Sequence, residues 1–139
     1  MKPPSSPASH AAPRRVLLLD DDRFMLDVLR EMLDMVDESG AGGRFDVHAE
    51  SDARRALAAL PRHAPDLLIC DLAMPEMDGI EFLQAAAGQG FSGRVILVSA
   101  LEDGVRDAAT ELARALGLRV AGTFRKPLAI EQLRLAVQC

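Results

Sequence analysis

Leu67 to Gly79 reads L-L-I-C-D-L-A-M-P-E-M-D-G, and the fold depends on how its first five residues are taken. Four apolar residues, Leu67, Leu68, Ile69 and Cys70, lead to a carboxylate, Asp71. The run breaks at Met74-Pro75 and a new segment starts at Gly79. An apolar run this short between turn signals suits a strand covered on both faces, although periodicity alone does not separate it from a short buried helix. As a strand it delivers Asp71 to the carboxyl edge of a parallel sheet, the edge at which open α/β folds bind ligands. A lone Asp there more often ends a strand than does chemistry, so the rest of the chain has to decide.

Val16 to Leu19 is a second apolar run, followed at once by Asp20, Asp21 and Asp22. Adjacent carboxylates repel one another unless a cation answers them. Asp22 is expected to cap the next helix, where acids complement the macrodipole; Asp20 and Asp21 remain to be explained. From Arg23 to about Glu38, the series Phe24, Val28, Met32 and Met35 or Val36, with Met25, Leu29 and Leu33 beside it, has a helical period. Ser39 to Gly43 ends that helix in a glycine-rich loop. Phe45, Val47 and Ala49 alternate with Asp46, His48 and Glu50, the pattern of an edge strand with one wetter face. Ser51 is expected to cap a helix with Ala53, Ala56, Leu57 and Leu60 on its apolar side, closed by Pro61.

Beyond Asp71, a helix from Gly79 uses Ile80, Phe82, Leu83 and Ala87 and stops at Gly88 and Gly90. Val95 to Val98 is a third continuous apolar run, ending in Ser99. Val105, Ala108 or Ala109, Leu112, Ala115 and Leu116 give another helix, stopped by Gly117. A weaker strand, Arg119 to Phe124, leads to Lys126-Pro127, and Ile130, Leu133 and Val137 suit a last helix. Alternation of this kind implies an α/β, doubly wound, five-stranded parallel sheet. The continuous runs belong in its centre and the alternating or weak ones at its edges. The expected strand order is 2-1-3-4-5, with the switch point between the first and third strands.

The totals exclude several classes. A chain of 139 residues is one domain with a real core. Met1 to Pro13, rich in Pro, Ser and Ala, reads as a disordered tail that includes His10, and residues 14–139 as the domain. A net charge of -5 without a basic run argues against direct nucleic-acid binding. No apolar stretch approaches the roughly 20 residues of a membrane span, and the N-terminus lacks an apolar signal core, so a cytoplasmic location is expected. Two cysteines, one inside an apolar run (Cys70) and one at the last position (Cys139), do not make a disulfide framework. His48 and His63 have no second ligand at metal spacing and are expected to be solvated surface residues.

Asp20, Asp21 and Asp71 thus leave neighbouring strands at one edge of the sheet. Converging carboxylates call for a cation, and all-oxygen ligation suits Mg²⁺. Ser99 and Lys126, each at the end of its own strand, add a hydroxyl and a positive charge. That set is what phosphoryl transfer to Asp71 needs: the carboxylate attacks while positive charge neutralises the phosphoryl oxygens.

The stretches L-L-L-D-D-D (Leu17 to Asp22), D-L-A-M-P-E-M-D-G (Asp71 to Gly79), V-S-A (Val98 to Ala100) and K-P (Lys126, Pro127) resemble the receiver domain of bacterial two-component response regulators, over about Arg14 to Gln138. The resemblance implies a flavodoxin-like fold, Asp71 as phosphoacceptor and Asp21 as a direct Mg²⁺ ligand. It further implies Asp20 holding the metal through water, the Ala73 backbone carbonyl as another ligand, Ser99 as the switch hydroxyl and Lys126 as the phosphoryl-contacting cation. A histidine kinase or histidine phosphotransfer protein would be the donor. The downstream protein target stays unknown, and a homodimer stays open. The position three before Lys126, usually aromatic in receivers that switch through a rotating ring, is Thr123 here, with Phe124 expected on the opposite face. The longer segment from Ser99 to Lys126 is similar to receivers attached to cyclic-di-GMP phosphodiesterase (EAL) domains. Two other readings compete: a receiver-like interaction module independent of phosphorylation, and an aspartyl-phosphate phosphohydrolase. The latter usually needs a second acid where Ala73 stands.

Overall fold

Among the described residues, strands and helices alternate: β1 (Arg14–Leu19), α1 (Arg23–Glu38), β2 (Phe45–Glu50), α2 (Ala53–His63), β3 (Leu67–Asp71), α3 (Gly79–Gly88), β4 (Arg94–Ser99), α4 (Asp103–Ala115), β5 (Arg119–Arg125) and α5 (Ile130–Gln138). The computed structural model describes residues 14–38, 45–74, 77 and 79–138. The expected N-terminal tail, the glycine-rich loop from Ser39 to Gly43, and Pro75, Glu76, Asp78 and Cys139 lie outside them. The strands form one sheet in the order β2-β1-β3-β4-β5, every neighbouring pair parallel. This is the doubly wound order expected from the apolar runs.

The continuous runs are apolar at every position because both faces are covered. Leu17, Leu19, Leu68, Cys70 and Leu97 join one cluster with residues of α2, α3 and α4. Val16, Leu18, Leu67, Ile69, Ile96 and Val98 join the other with residues of α1 and α5. Adjacent side chains of a strand point to opposite faces, so each run serves both clusters. At roughly 25 cal/mol per Å² of apolar surface removed from water, these central strands hold the layers together. The edge strand β2 is half-buried throughout except for exposed Asp46.

Several local expectations change. The α1 face turned to the sheet is Leu26, Leu29, Leu33 and Val36, while Phe24 is 72% exposed. Apolar residues occupy so many positions of this helix that two stripes fit a helical period, and the sheet selects the one starting at Leu26. The cap of α2 is Asp52, not Ser51: its Oδ1 accepts the N–H groups of Arg54 (2.8 Å) and Arg55 (3.2 Å). Pro61 does not close α2 but lies in its last turn, and the chain turns at Ala64 with φ 50°. A proline has no N–H for the carbonyl four residues earlier. Here that carbonyl, Leu57 O, receives Gln89 Nε2 at 3.4 Å. In α4 the buried positions are Ala109 and Ala113; Ala108 and Ala115 are exposed and Val105 is 43% exposed. His48 and His63 are half-buried, not freely solvated: their ring centroids lie 5.3 Å apart, and His63 Nε2 sits 3.2 Å from Val16 O.

Two details place the carboxyl edge. A bulge interrupts the β4–β5 register, with Val95 opposite Val120 and Ile96 opposite Gly122. The extra residue, Ala121, resets the faces: Thr123 then pairs with Leu97, while Phe124 packs into the cluster under α1 and α5. Gly79 allows α3 to begin directly against the end of β3. A Cβ there would lie 2.5 Å from Leu72 Cα and 2.8 Å from Asp71 O, both backbone atoms, whereas at Gly88 it would meet nothing. Gly79→Ala should therefore lower the unfolding free energy by about 1–3 kcal/mol. Gly88→Ala should change it by less than about 1 kcal/mol, in the stabilising direction. Urea midpoints of the two variants check this, and equal midpoints would show that α3 is not seated on β3.

Candidate functional site

The strand register brings the carboxyl ends into line. Leu19 pairs with Cys70, Asp71 with Val98, and Ser99 with Arg125. Asp20, Asp71, Ser99 and Lys126 consequently emerge along one edge, on four adjacent strands. Asp20 is 2% exposed, Asp71 4% and Ser99 0%, so three polar residues stand where a strand end would ordinarily bury apolar ones. Asp21, by contrast, is exposed. Carboxylate oxygens of Asp20, Asp21 and Asp71 lie within 4.8 Å of one another.

Lys126 closes the group. Its Nζ donates to Asp20 Oδ2 at 2.8 Å and to Asp71 Oδ2 at 3.2 Å. Its backbone N–H donates to Ser99 O at 2.9 Å, which fixes the loop after β5 against the end of β4. The Lys126–Pro127 peptide is cis. The remaining oxygens have local duties. Asp20 Oδ1 accepts the Asp22 N–H at 2.9 Å, and Asp71 Oδ1 accepts the Ala73 N–H at 3.1 Å. Asp22 caps α1 as expected, its Oδ1 accepting the Phe24 N–H at 2.9 Å. Ser99 Oγ accepts the Leu101 N–H at 2.9 Å, which leaves the hydroxyl proton to donate.

One cation does not balance this many acids. Burial drives the Asp71 pKa above the ordinary carboxylate range, and the Asp20 charge adds to it. The Ala73 N–H and Lys126 oppose the rise without cancelling it. Burial alone would lower Lys126, but its hydrogen bond to Asp20 and its attraction to Asp71 outweigh that and hold it above its usual value. Folding therefore costs free energy wherever Asp71 is ionised, a cost relieved as pH falls through its raised pKa toward the ordinary 3.8. A divalent cation would relieve the same cost without protonation. The donor set fits a hard cation, which takes oxygen ligands and no sulfur. Cys70, the nearest thiol, is unsuited: burial, then Asp71 and Asp20, push its pKa up, and its Sγ donates to Asp71 O at 3.3 Å.

One residue beside this edge escaped the sequence reading. Thr110, half-buried on α4, places its Oγ1 2.7 Å from Thr123 Oγ1. The only signal was a polar residue one position beyond the buried Ala109, too weak to separate from an ordinary surface threonine.

Comparison with known proteins agrees with this geometry. The response regulator receiver domain family matches residues 16–138. A protein-glutamate methylesterase/protein-glutamine glutaminase of Myxococcus xanthus is 35% identical over 89% of this chain and 33% of its own length. The response regulator MprA of Mycolicibacterium vanbaalenii is 28% identical over 87% of this chain and 47% of its own. The chain thus spans about a third to a half of the curated relatives it matches. A response regulator from Colwellia psychrerythraea superimposes with a TM-score of 0.73 at 30% identity, covering 91% of this chain and 94% of that one. The Vibrio cholerae chemotaxis protein CheY4 does so with 0.74 at 25% identity, covering 91% and 98%. With the five-stranded order, the acids at one sheet edge and a family match over nearly its whole described length, the chain belongs to the response regulator receiver domains.

Proposed function

We propose that this receiver domain, residues 14–139, accepts a phosphoryl group on Asp71 from a phosphohistidine of a histidine kinase or histidine phosphotransfer protein. The observation that carries the reading is the Lys126 ammonium bonded to both Asp20 and Asp71 at the carboxyl edge. In the transfer, an Asp71 carboxylate oxygen attacks phosphorus. The N–P bond to the donor imidazole breaks, its electron pair leaves with the ring, and the ring takes up a proton. Lys126, already beside Asp71 Oδ2, offsets the charge on the phosphoryl oxygens. Ser99, its Oγ anchored by the Leu101 N–H, has its hydroxyl proton free to donate to the new phosphoryl group.

Asp21 and Asp71 are the proposed direct ligands of Mg²⁺, with the Ala73 carbonyl, and Asp20, whose oxygens lie against the Lys126 ammonium and the Asp22 N–H, acts through water. Such an ion supplies further positive charge to the phosphoryl oxygens when bound. Ala73, two residues after Asp71, has no group to protonate a leaving alcohol. That supports a signalling modification over phosphate-ester turnover. The consequence of phosphorylation is a changed surface for a downstream protein.

Three measurements test this. Incubation with acetyl phosphate and Mg²⁺ should add one phosphoryl mass to the wild type and none to Asp71→Asn; equal labelling of both removes Asp71 from the chemistry. Mg²⁺ at tenfold its dissociation constant should raise the unfolding free energy by about 1.4 kcal/mol, and Asp21→Ala should abolish the rise. A wild-type transition indifferent to Mg²⁺ discards the metal site. Lys126→Met leaves two buried acids facing each other, and should destabilise the metal-free protein by about 3 kcal/mol. Adding Asp71→Asn to it should recover part of that loss, whereas additive losses in urea titrations would mean that the two side chains do not interact.

A further inference from the structure

A cleft lies at the opposite pole, where the strands begin. This open cleft has a volume of about 730 Å³ and includes Arg14, Arg94 and Arg119 in its lining, with Asp66 as the one acid there. The sheet pairing makes this clustering systematic. Arg94 stands directly beside Arg119, and Val16, Leu67 and Arg94 form one row across β1, β3 and β4. Arg14 is two residues before Val16, so by the strand period it shares the face of Arg94 and Arg119. Like charges directly opposed on neighbouring strands destabilise a sheet. This pair stands in a chain of net charge -5.

The guanidinium groups are held in place and not used up. Arg14 donates to Val137 O and lies 5.9 Å over the Phe45 ring, and Arg119 donates to Ser92 O. Each retains further N–H donors from its planar fork. The Arg94 side chain has no hydrogen bond or ion pair with another described residue. Asp66 offsets at most one of these three charges, and its Oδ2 also accepts the Arg15 backbone N–H at 2.9 Å. On the other wall of the cleft lie Leu60, Pro61 and Phe91. The Phe91 ring rests against Gly93, where a Cβ would lie 2.8 Å from its Cζ and 2.7 Å from Asp66 O. Gly93 thus leaves room for the Phe91 ring, which lines the cleft and also packs against the cluster shared by α2, α3 and α4.

We propose that this pole is a second ligand site, for a phosphate ester carrying a flat ring, of the size of a nucleoside monophosphate. The phosphate goes to the Arg94 and Arg119 forks, which match its oxygens in pairs, and the base packs on Phe91. The volume falls within the roughly 300–1,000 Å³ of small-molecule sites and is far more than inorganic phosphate fills. The site is independent of phosphoryl transfer at Asp71, which leaves from the other end of the strands.

The test is a titration of the isotope-labelled protein, in metal-free buffer, with adenosine monophosphate, guanosine monophosphate, adenosine, inorganic phosphate and a tetraglutamate peptide. One of the monophosphates should bind saturably at 1:1. Its amide shifts should be confined to Gly90, Phe91, Gly93, Arg94 and Arg119, and adenosine and phosphate should bind at least tenfold more weakly. Arg94→Gln and the surface variant Arg119→Gln should each weaken binding at least tenfold while keeping the wild-type far-ultraviolet spectrum. Asp71→Asn should bind as the wild type does. The proposal is overturned by an absence of saturation with either monophosphate at millimolar concentration. Shifts centred on Asp71, unchanged affinity in Arg119→Gln, or phosphate or tetraglutamate binding as tightly as the nucleotide would overturn it equally.

Discussion

A single ammonium group joins the two halves of this molecule. Lys126 reaches Asp20 across 106 positions of sequence and Asp71 across 55. The Asp20 contact needs β1, β3, β4 and β5 side by side, and the Asp71 contact needs β3, β4 and β5. The arrangement is electrostatically unbalanced even then. Two nearly buried carboxylates share one lysine, with a third carboxylate close by on the exposed side. Burial raises Asp71 above its ordinary range despite the lysine. The fold tolerates this because the apolar strands behind the site, buried on both faces, are stable enough to hold the acids together.

That imbalance explains why the edge was legible from sequence. An apolar strand that ends in a carboxylate is common. Two such strands with three acids, followed by a hydroxyl and a lysine at later strand ends, are not explained by solubility or capping. The continuous runs around Leu18, Ile69 and Ile96 likewise announced the central strands, since only a sheet covered on both faces needs them. Less legible were features decided by competition between near-equal neighbours. Asp52 and Ser51 are both good caps, and the helix start selects Asp52. Pro61 marks a helix end by its missing N–H, yet Gln89, just past the end of α3, satisfies the carbonyl it orphans and the helix continues for two residues. In α1, Phe24 fits a helical stripe as well as Leu26 does, and only the position of the sheet separates them.

The β5 bulge shows what sequence alternation alone does not carry. Strict alternation from Val120 would place Gly122 with it and Thr123 on the other side. Ala121 absorbs the extra residue, so Thr123 faces α4 beside Leu97 and Phe124 turns beneath α1 and α5. The expected separation of Thr123 and Phe124 to opposite faces holds, and the bulge decides which face each takes. What meets α4 at this position is a hydroxyl, hydrogen-bonded to Thr110, instead of an aromatic ring. Two short, β-branched side chains have little travel.

The same sheet also sets its two ends in opposite electrostatic states. In-register parallel pairing aligns strand starts as strictly as strand ends, so whatever residue type recurs at a given offset becomes a cluster. At the carboxyl end that rule gathers Asp20, Asp21 and Asp71; at the amino end it gathers Arg14, Arg94 and Arg119. The strands that separate them are only five to seven residues long, about 17–23 Å at the usual rise per residue. That distance exceeds the roughly 8 Å screening length at physiological salt, so the basic end cannot neutralise the acidic one through solvent. Each cluster has to find its own counter-ion, and among the described residues Lys126 is the cation paired with Asp20 and Asp71 at the acidic end.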